Sequence, residues 1–280
     1  MKSEAIVELG KPLQTIETET PTPKGKEVLL KITHSGVCHS DVHIHDGYFD
    51  LGGGNKLPVG AMLNLPHTMG HEIEGEVVSI GPDVNNIEIG SNVVAYPWIG
   101  CGNCSTCSDG DEHYCNAPRQ LGIQLPGGFA DYCIIPDSKY VLDYEGIRPG
   151  LAATYMCSGL TAFGALKKIV NIGENDHLLI MGLGGVGMMG LQFARSLFNC
   201  KILAADIDAN KLQAAKGAGA DEVYDTSDEQ SLKKLLEDTG GGVKATVDFV
   251  GAEKTLQYCL ESTKKGGQVV VVGLFGGGFQ

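Results

Sequence analysis

The sequence predicts an α/β protein of two domains, the second of which is a doubly wound parallel sheet. Three observations lead to this fold class. The 280 residues are enough for two domains with real cores. An apolar strand at 177–181 leads through a glycine-rich turn into a helix. Further apolar runs then alternate with helical segments, which is typical of strands buried on both faces of a parallel sheet.

The first strand and its turn carry a nucleotide-binding pattern. Residues 177–197 read HLLIMGLGGVGMMGLQFARSL, and the turn is G-x-G-x-x-G at Gly182, Gly184 and Gly187. The first glycine permits the tight turn, the second lets the backbone approach a pyrophosphate, and the third lets the helix pack against the strand. The free N–H groups at the helix start would bind the phosphates. The sequence therefore predicts a dinucleotide site here, which also includes Gly185 and Val186.

The second strand of this half indicates which dinucleotide is bound. It reads KILAADID and carries Asp206 nineteen residues after Gly187. A carboxylate there hydrogen-bonds the 2′-hydroxyl of the adenine ribose and repels the 2′-phosphate of NADP. No arginine follows to neutralise such a phosphate, so NAD is the expected cofactor. For Asp208 and Lys211, a capped and solvated helix start competes with a role in the nucleotide site.

Three more strands complete the expected sheet. The pattern predicts a short strand near 222–224, a helix over 230–237, a strand at 245–250, a helix over 254–262 and a strand at 268–273. With the strands at 177–181 and 201–206, these make five strands of an open sheet.

Four cysteines within fifteen residues predict a structural metal site in the first half. The stretch CGNCSTCSDGDEHYC (residues 101–115, the cysteine lobe) supplies Cys101, Cys104, Cys107 and Cys115. Four soft thiolates on a short loop suit tetrahedral zinc. Disulfides would need an oxidising compartment, and the N-terminus has no apolar signal-peptide core. The bacterial iron–sulfur run has a closer fourth cysteine followed by proline, whereas Asn116 follows here.

Composition argues against several classes of partner. The net charge of −13 argues against nucleic acid and against anionic membranes. No apolar stretch approaches the length of a membrane span. Nine cysteines without a signal sequence suit a reducing cytoplasm, which is the expected localisation.

Further motifs flank the cysteine lobe. GVCHSDVHIH and MGHEIEGEV lie before it and TYMCSGLTAFGAL lies after it. From about residue 25 onward, this order of motifs resembles the zinc-dependent medium-chain alcohol dehydrogenases. The resemblance implies an N-terminal GroES-like, β-rich catalytic domain over 1–155 and a Rossmann NAD-binding domain over 156–280. It also implies that the chain stops after the fifth strand and lacks the family's C-terminal part.

The resemblance implies a second, catalytic zinc ion held by Cys38, His71 and Cys157. Two thiolates and a neutral imidazole leave a formal charge near zero and one open position for a substrate oxygen. His67 is a competing ligand, but the proline and glycine around it argue against a helix that would bring both histidines onto one face. Relatives acting on polyols or threonine typically place a carboxylate where Cys157 stands, so the alcohol dehydrogenase branch is favoured.

The resemblance also assigns roles around both sites. Asp41 would accept a hydrogen bond from the zinc-bound histidine, and Glu72 would lie behind the metal. Ser40 and His43 would relay the alcohol proton through the cofactor ribose to solvent. For Asp41 and Ser40, simple turn chemistry is the alternative. The family positions of the remaining cofactor contacts are His39 near the pyrophosphate, Lys211 near the ribose, and Thr161 and Val272 near the nicotinamide.

These observations predict an NAD-dependent zinc alcohol dehydrogenase with two zinc ions per chain. It would convert a small alcohol reversibly into an aldehyde or ketone, and its full-length form would be a homodimer or homotetramer. Two alternatives stay open: a fold-retaining zinc- and NAD-binding fragment without turnover, and a polyol or reductase member of the same superfamily. The sequence also leaves open whether Trp98 faces the substrate and whether the 280-residue chain alone is active.

Overall fold

Short antiparallel strands build the first unit of the computed structural model, which describes residues 1–52 and 54–273. This unit comprises Met1–Phe49 and Pro58–Cys157. The strands up to its end are β1 (Lys2–Ile6), β2 (Gln14–Glu17), β3 (Val28–Gly36), β4 (Tyr48–Gly52), β5 (Asn55–Pro58), β6 (His67–Thr68), β7 (Glu72–Ile80), β8 (Asn92–Ala95), β9 (Tyr132–Ile135) and β10 (Val141–Leu142).

The larger sheet of this unit has the order β10-β8-β7-β3-β9, and a smaller one has the order β2-β1-β6. β4 and β5 pair with each other. Strands β3 and β7 are antiparallel in a register that runs from Val28 opposite Ile80 to Gly36 opposite Glu72. Ile73 and Val77 on β7 lie in the apolar core. Because side chains alternate along a strand, Glu72 and the other glutamates of β7 lie on the opposite face.

Helices of the first unit are short and carry much of the candidate site. They are the α-helices α1 (His39–Asp46) and α2 (Ser105–Ser108), and the 3₁₀ helices Gly60–Met62, Glu112–Tyr114, Ser138–Tyr140 and Ala152–Met156. The N-cap of α1 is Cys38, and Cys157 ends the last 3₁₀ helix. Two of the predicted metal ligands therefore stand at helix ends, where the backbone changes direction.

A parallel sheet forms the second unit, which comprises Asp50–Leu57 and the chain from Ser158 onward. From Ser158 its elements are α3 (Ser158–Leu166), β11 (His177–Met181), α4 (Gly185–Leu197), β12 (Lys201–Asp206), α5 (Ala209–Gly217), β13 (Glu222–Asp225), α6 (Ser231–Asp238), β14 (Val243–Asp248), α7 (Glu253–Ser262) and β15 (Thr263–Val271). The strand order is β13-β12-β11-β14-β15, with parallel pairing throughout.

Both faces of this sheet are covered by apolar side chains. Leu178 and Ile180 of β11 belong to one core, and Leu179 and Met181 of the same strand belong to another. All four side chains are at most 1% exposed. This burial explains why the strand reads as one apolar run rather than as an alternating pattern. The predicted doubly wound sheet of five strands is confirmed.

The last two strands begin earlier than the sequence predicts. β14 begins at Val243 rather than at 245 and ends at Asp248 rather than at 250, whereas β15 begins at Thr263 rather than at 268. The register moves from Val243 opposite Thr263 to Ala245 opposite Gln268, so residues 264–267 bulge out of the ladder. These bulged residues read KKGG and give no apolar strand signal.

No helix in residues 1–52 and 54–273 is both long enough and apolar enough to cross a membrane.

We expect Gly187→Ala to destabilise the turn between β11 and α4. An added Cβ would lie 1.8 Å from the carbonyl oxygen of Gly182, so strand and helix would have to separate. Overpacking of this kind costs about 1–3 kcal/mol. Urea unfolding measures the loss. The matched control is Gly185→Ala, which meets nothing within 4 Å. Equal unfolding midpoints for the two variants would contradict the close-packing role of Gly187.

Candidate metal centres and nucleotide site

Cys38, His71 and Cys157 come together from three separate elements of the first unit. Their ligand atoms all lie within 4.8 Å of one another, and the two sulfur atoms are 3.9 Å apart. His71, just before β7, is fully buried, and Cys157 is buried as well. His67, the competing histidine, instead contacts the carbonyl oxygen of Gly122 at 3.2 Å.

The Asp41 carboxylate orients the histidine of this set. One oxygen lies 3.2 Å from His71 Nδ1, and the other accepts the backbone N–H of Cys38 at 2.8 Å. Within the part of the chain that the structure describes, Nε2 of His71 is buried and has no hydrogen-bond partner. A buried imidazole nitrogen without a partner, beside two thiols, is what a zinc ligand requires. The Asp41 bond fixes the tautomer that leaves this nitrogen available.

These contacts set the ionisation of the three groups. The hydrogen bond with Cys157 lowers the pKa of Cys38 to about 3, against the opposing effect of burial. That bond, together with burial, raises the pKa of Cys157 well above its usual range. Burial lowers the pKa of His71, but the hydrogen bond to Asp41 and the nearby charges of Asp41 and Cys38 outweigh it and raise the pKa to about 10. These shifts favour the thiolate form at Cys38, and a divalent cation would displace the protons on Cys157 and His71.

Ser40 and His43, the predicted relay, both lie on α1. Ser40 Oγ is 3.7 Å from Cys38 Sγ, so the hydroxyl borders the metal ligands. The His43 ring lies farther along the helix, with its centroid 4.8 Å from that of His39 and 5.1 Å from that of Phe49. Both side chains are partly exposed. The relay through these two groups stays a prediction.

Glu72 follows His71 in the sequence, and its side chain is buried because Gly36 on the neighbouring strand leaves space for it. A Cβ at position 36 would lie 2.0 Å from Glu72 Oε2 and 2.9 Å from its Cβ. The two residues face each other across the β3–β7 pairing. The Glu72 carboxylate can therefore occupy this position only opposite a glycine.

Trp98 is a site residue that the sequence left undecided. Its ring centroid lies 5.8 Å from that of His71, and its indole N–H donates to the carbonyl oxygen of Met156 at 2.8 Å. Trp98 therefore contacts the surroundings of two predicted ligands, His71 and Cys157.

The cysteine lobe gathers its four thiols at one point. Cys104 Sγ lies 3.5 Å from Cys107 Sγ and 3.8 Å from Cys115 Sγ, and Cys101 Sγ lies 3.9 Å from Cys107 Sγ. These separations exceed a disulfide bond length of about 2.0 Å, so the thiols are separate donor groups. The backbone N–H groups of Cys101 and Ala117 both donate to Cys115 Sγ at 3.3 Å. Four sulfurs at such spacing fit tetrahedral zinc.

Glu112 anchors the cysteine lobe to the larger sheet. Its carboxylate accepts the Gly100 N–H at 3.2 Å, the Lys139 ammonium at 2.5 Å and the Tyr140 hydroxyl. The Tyr140 ring in turn stacks on Tyr96, with centroids 6.4 Å apart. No local sequence signal marks Glu112, because its partners come from residues far along the chain.

In the second unit, Asp206 links the end of β12 to the glycine turn. Oδ2 accepts the Leu183 N–H at 2.6 Å, and Oδ1 accepts the N–H groups of Ile207 and Asp208 at 2.8 and 3.0 Å. The Lys211 ammonium lies 3.9 Å from Oδ1. The predicted glycines, Asp206 and Lys211 therefore share one edge of the sheet. Asp208 caps α5, as the alternative interpretation of that residue expects.

The glycine turn leaves space for a bound group. Gly184 and Gly185 are exposed at the start of α4, and a Cβ at either position would meet nothing within 4 Å. The other predicted cofactor residues of this unit are Val186 on α4, Thr161 on α3, which is exposed, and Val272 just after β15. His39 is exposed on α1 of the first unit.

Comparisons with known proteins agree with this fold. The family model of the alcohol dehydrogenase GroES-like domain matches residues 24–145, and that of the zinc-binding dehydrogenases matches residues 185–280. The NAD-dependent alcohol dehydrogenases of Saccharolobus solfataricus and Sulfurisphaera tokodaii are each 38% identical over 278 residues, covering 99% of this chain and 79% of each relative.

Solved structures of dehydrogenases have the same fold as this chain. The alcohol dehydrogenase of the archaeon Aeropyrum pernix has a TM-score of 0.86 at 28% identity, covering 100% of this chain and 80% of that one. The D-arabinose dehydrogenase of Sulfolobus solfataricus has a TM-score of 0.85 at 25% identity, covering 100% of this chain and 84% of that one. A GroES-like unit with a Rossmann unit is the architecture of a medium-chain dehydrogenase. Because 79% of each curated relative is matched at 38% identity, the chain belongs to the zinc-dependent alcohol dehydrogenase family.

We expect Gly36→Ala to displace the Glu72 side chain and thereby weaken the candidate metal centre at Cys38, His71 and Cys157. The new Cβ would overlap the Glu72 side chain, which is buried. The cost is about 1–3 kcal/mol in the free energy of unfolding, with weaker retention of one zinc ion. Urea unfolding and zinc analysis measure both effects. Gly164→Ala on α3 is the control, since its Cβ meets nothing within 4 Å. An unchanged unfolding midpoint and zinc content in Gly36→Ala would show that Glu72 can adapt.

Proposed function

We propose that this chain is an NAD-dependent alcohol dehydrogenase with a catalytic zinc ion at Cys38, His71 and Cys157. The observation that carries the proposal is the buried, unpartnered Nε2 of His71 beside two thiol sulfurs. A second, structural zinc ion would be held by the four thiols of the cysteine lobe. The corresponding domains would be a catalytic domain over 1–155 and an NAD-binding domain over 156–280.

The chain's own residues supply the proton path. When bound, zinc supplies a Lewis acid that polarises the alcohol oxygen, and NAD supplies the hydride acceptor. Ser40, next to Cys38 Sγ, would accept the alcohol proton, and His43 would pass it to solvent, since imidazole titrates near neutral pH. Asp41 would hold His71 in the tautomer that leaves Nε2 free for the metal.

NAD is the proposed cofactor because of Asp206. The curated relatives named above are NAD-dependent, and the Asp206 carboxylate lies at the edge of the sheet where the glycine turn begins. An acidic group there accepts the ribose hydroxyls of NAD and repels the additional phosphate of NADP.

The substrate would be a small alcohol or the matching carbonyl compound. The likeness to a D-arabinose dehydrogenase gives sugars a place in any substrate panel. From its cysteine content we further propose that the protein acts in the cytoplasm. As the resemblance implies, we also propose that its full-length form is a homodimer or homotetramer. Light scattering of the purified protein tests the oligomeric state.

Zinc analysis and turnover together test the function. The purified chain should hold two zinc ions and reduce NAD with at least one member of a panel of primary, secondary, aromatic and sugar alcohols. Cys157→Ser should abolish turnover and leave the lobe zinc in place. Cys104→Ser should release the lobe zinc and lower the melting temperature, because metal binding in such a site is coupled to folding. Full turnover in Cys157→Ser, or metal-free wild-type protein, would refute the proposal.

The role of Asp206 has its own test. Asp206→Asn keeps the size of the side chain and removes its charge, so the preference for NAD over NADP should fall by about tenfold in kcat/KM, or about 1.4 kcal/mol. Because Asp206 also accepts the Leu183 N–H, thermal unfolding of the variant must be measured in parallel. Asp208→Asn at the neighbouring helix cap is the matched control. An unchanged preference in a folded Asp206→Asn variant would remove this residue from cofactor selection.

A further inference from the structure

Cys157 reaches the candidate metal centre on a weak local element. It lies between the 3₁₀ helix Ala152–Met156 and the start of α3, whereas Cys38 caps α1 and His71 immediately precedes the long strand β7. Short 3₁₀ helices have poor hydrogen-bond geometry and little stability of their own. On its N-terminal side, the position of Cys157 therefore depends on the contacts that hold residues 150–157 from outside.

Glu74 holds the start of this segment. It lies on β7, three residues after His71, and its side chain is only 1% exposed. The carboxylate accepts the Gly150 N–H at 2.9 and 3.1 Å, and it accepts the Tyr144 hydroxyl at 3.2 Å. Its third neighbour is His34 Nδ1, at 3.1 Å. A buried carboxylate with these partners is an anchor for the chain that leads to Cys157.

The sheet is locally distorted to provide this anchor. The β3–β7 register shifts between Ile32 and His34, which brings His34 directly opposite Glu74. The extra residue, Thr33, donates its hydroxyl to the Glu74 carbonyl oxygen at 3.2 Å. Gly150 has a φ of +81°, a left-handed conformation that glycine adopts without strain. Its missing side chain also lets the backbone approach the His34 ring, since a Cβ there would lie 3.2 Å from Cδ2.

Trp98 holds the other end of the segment. Its indole N–H donates to the carbonyl oxygen of Met156, the residue before Cys157. Trp98 lies three residues beyond the end of β8, and β8 is the neighbour of β7 in the sheet. The two contacts therefore fasten Gly150 to β7 and Met156 to the chain just after β8.

We propose that Glu74 and Trp98 are positioning residues that together fix Cys157 in the metal centre. This inference rests on the proposed function, because it assumes that Cys157 binds zinc. Neither side chain is assigned a contact with the metal or the hydride. Each acts through the backbone of the segment that carries the third ligand.

The test compares Glu74→Ala, Glu74→Gln and Trp98→Phe in the zinc-loaded full chain. Loss of partners that orient metal ligands weakens metal binding by roughly 10- to 100-fold. We expect Glu74→Ala and Trp98→Phe to lose catalytic zinc to a chelator at least about tenfold faster than wild type, with the lobe zinc unaffected. Glu74→Gln should retain more metal than Glu74→Ala, since its amide oxygen still accepts the Gly150 N–H. Glu76→Gln, on the same strand, is the matched control.

A spectroscopic readout separates positioning from general stability. With cobalt(II) in the catalytic site, the thiolate-to-metal charge-transfer bands report the geometry of Cys38 and Cys157. These bands should shift in Glu74→Ala and Trp98→Phe and stay unchanged in Glu76→Gln. If Glu74→Ala and Trp98→Phe show unchanged bands and unchanged zinc loss while the wild type is active, the positioning role is wrong and the proposed function stands. Equal loss of both zinc ions would also overturn the positioning role, because the effect would then be global. A wild-type chain without zinc at Cys157 would overturn the proposed function as well.

Discussion

The Asp41 carboxylate is the contact on which the candidate metal centre depends. With one oxygen it accepts the N–H of Cys38 at the start of α1, and with the other it holds His71 before β7. It thereby fixes the separation of two ligands that are 33 residues apart in the sequence. It also selects which imidazole nitrogen remains available for a metal. A buried carboxylate is costly unless it is fully hydrogen-bonded, so this residue stabilises the fold and the site through the same two bonds.

Two glutamates of β7, Glu72 and Glu74, are buried near the candidate metal ligands. Each depends on a glycine or a register shift in the backbone that faces it. Glu72 lies opposite Gly36, where no Cβ could fit, and Glu74 lies at the β3–β7 register shift and faces the left-handed Gly150. Burying several negative charges close together is unfavourable without compensating positive charge or donors. The N–H donors supply part of the compensation, and a divalent cation at the thiols would supply more.

Local sequence signals were sufficient for most of the second unit and for the four lobe cysteines. The family resemblance supplied Cys38, His71 and Cys157, and neither source pointed to the residues that position these ligands. The strand–turn–helix around Gly182 and the spacing of the four lobe cysteines depend on neighbours in the sequence, so pattern alone predicted them. Trp98 and Glu112 act through partners that only the tertiary fold brings near, such as Met156 and Tyr140. The start of β15 was missed for a similar reason, since its bulged residues are polar and their place is set by pairing with β14. Glu74 gave no signal of its own, because it is one of three glutamates that alternate with other residues along β7.

The two candidate metal centres differ in how far apart their ligands stand along the chain. Cys101 and Cys115 are separated by 14 residues, whereas Cys38 and Cys157 are separated by 119. Closing the longer loop costs about 2 kcal/mol more in chain entropy, before any strand of the larger sheet has formed. During synthesis, the lobe can therefore capture its ion as soon as its own fifteen residues have emerged. The site of Cys38, His71 and Cys157 can form only after β3 and β7 have paired and the segment after β10 has docked. With zinc at both sites, the spacing of the ligands would set the order of uptake. The lobe ion would then mark an early stage of folding, and the ion at Cys38, His71 and Cys157 would mark its completion.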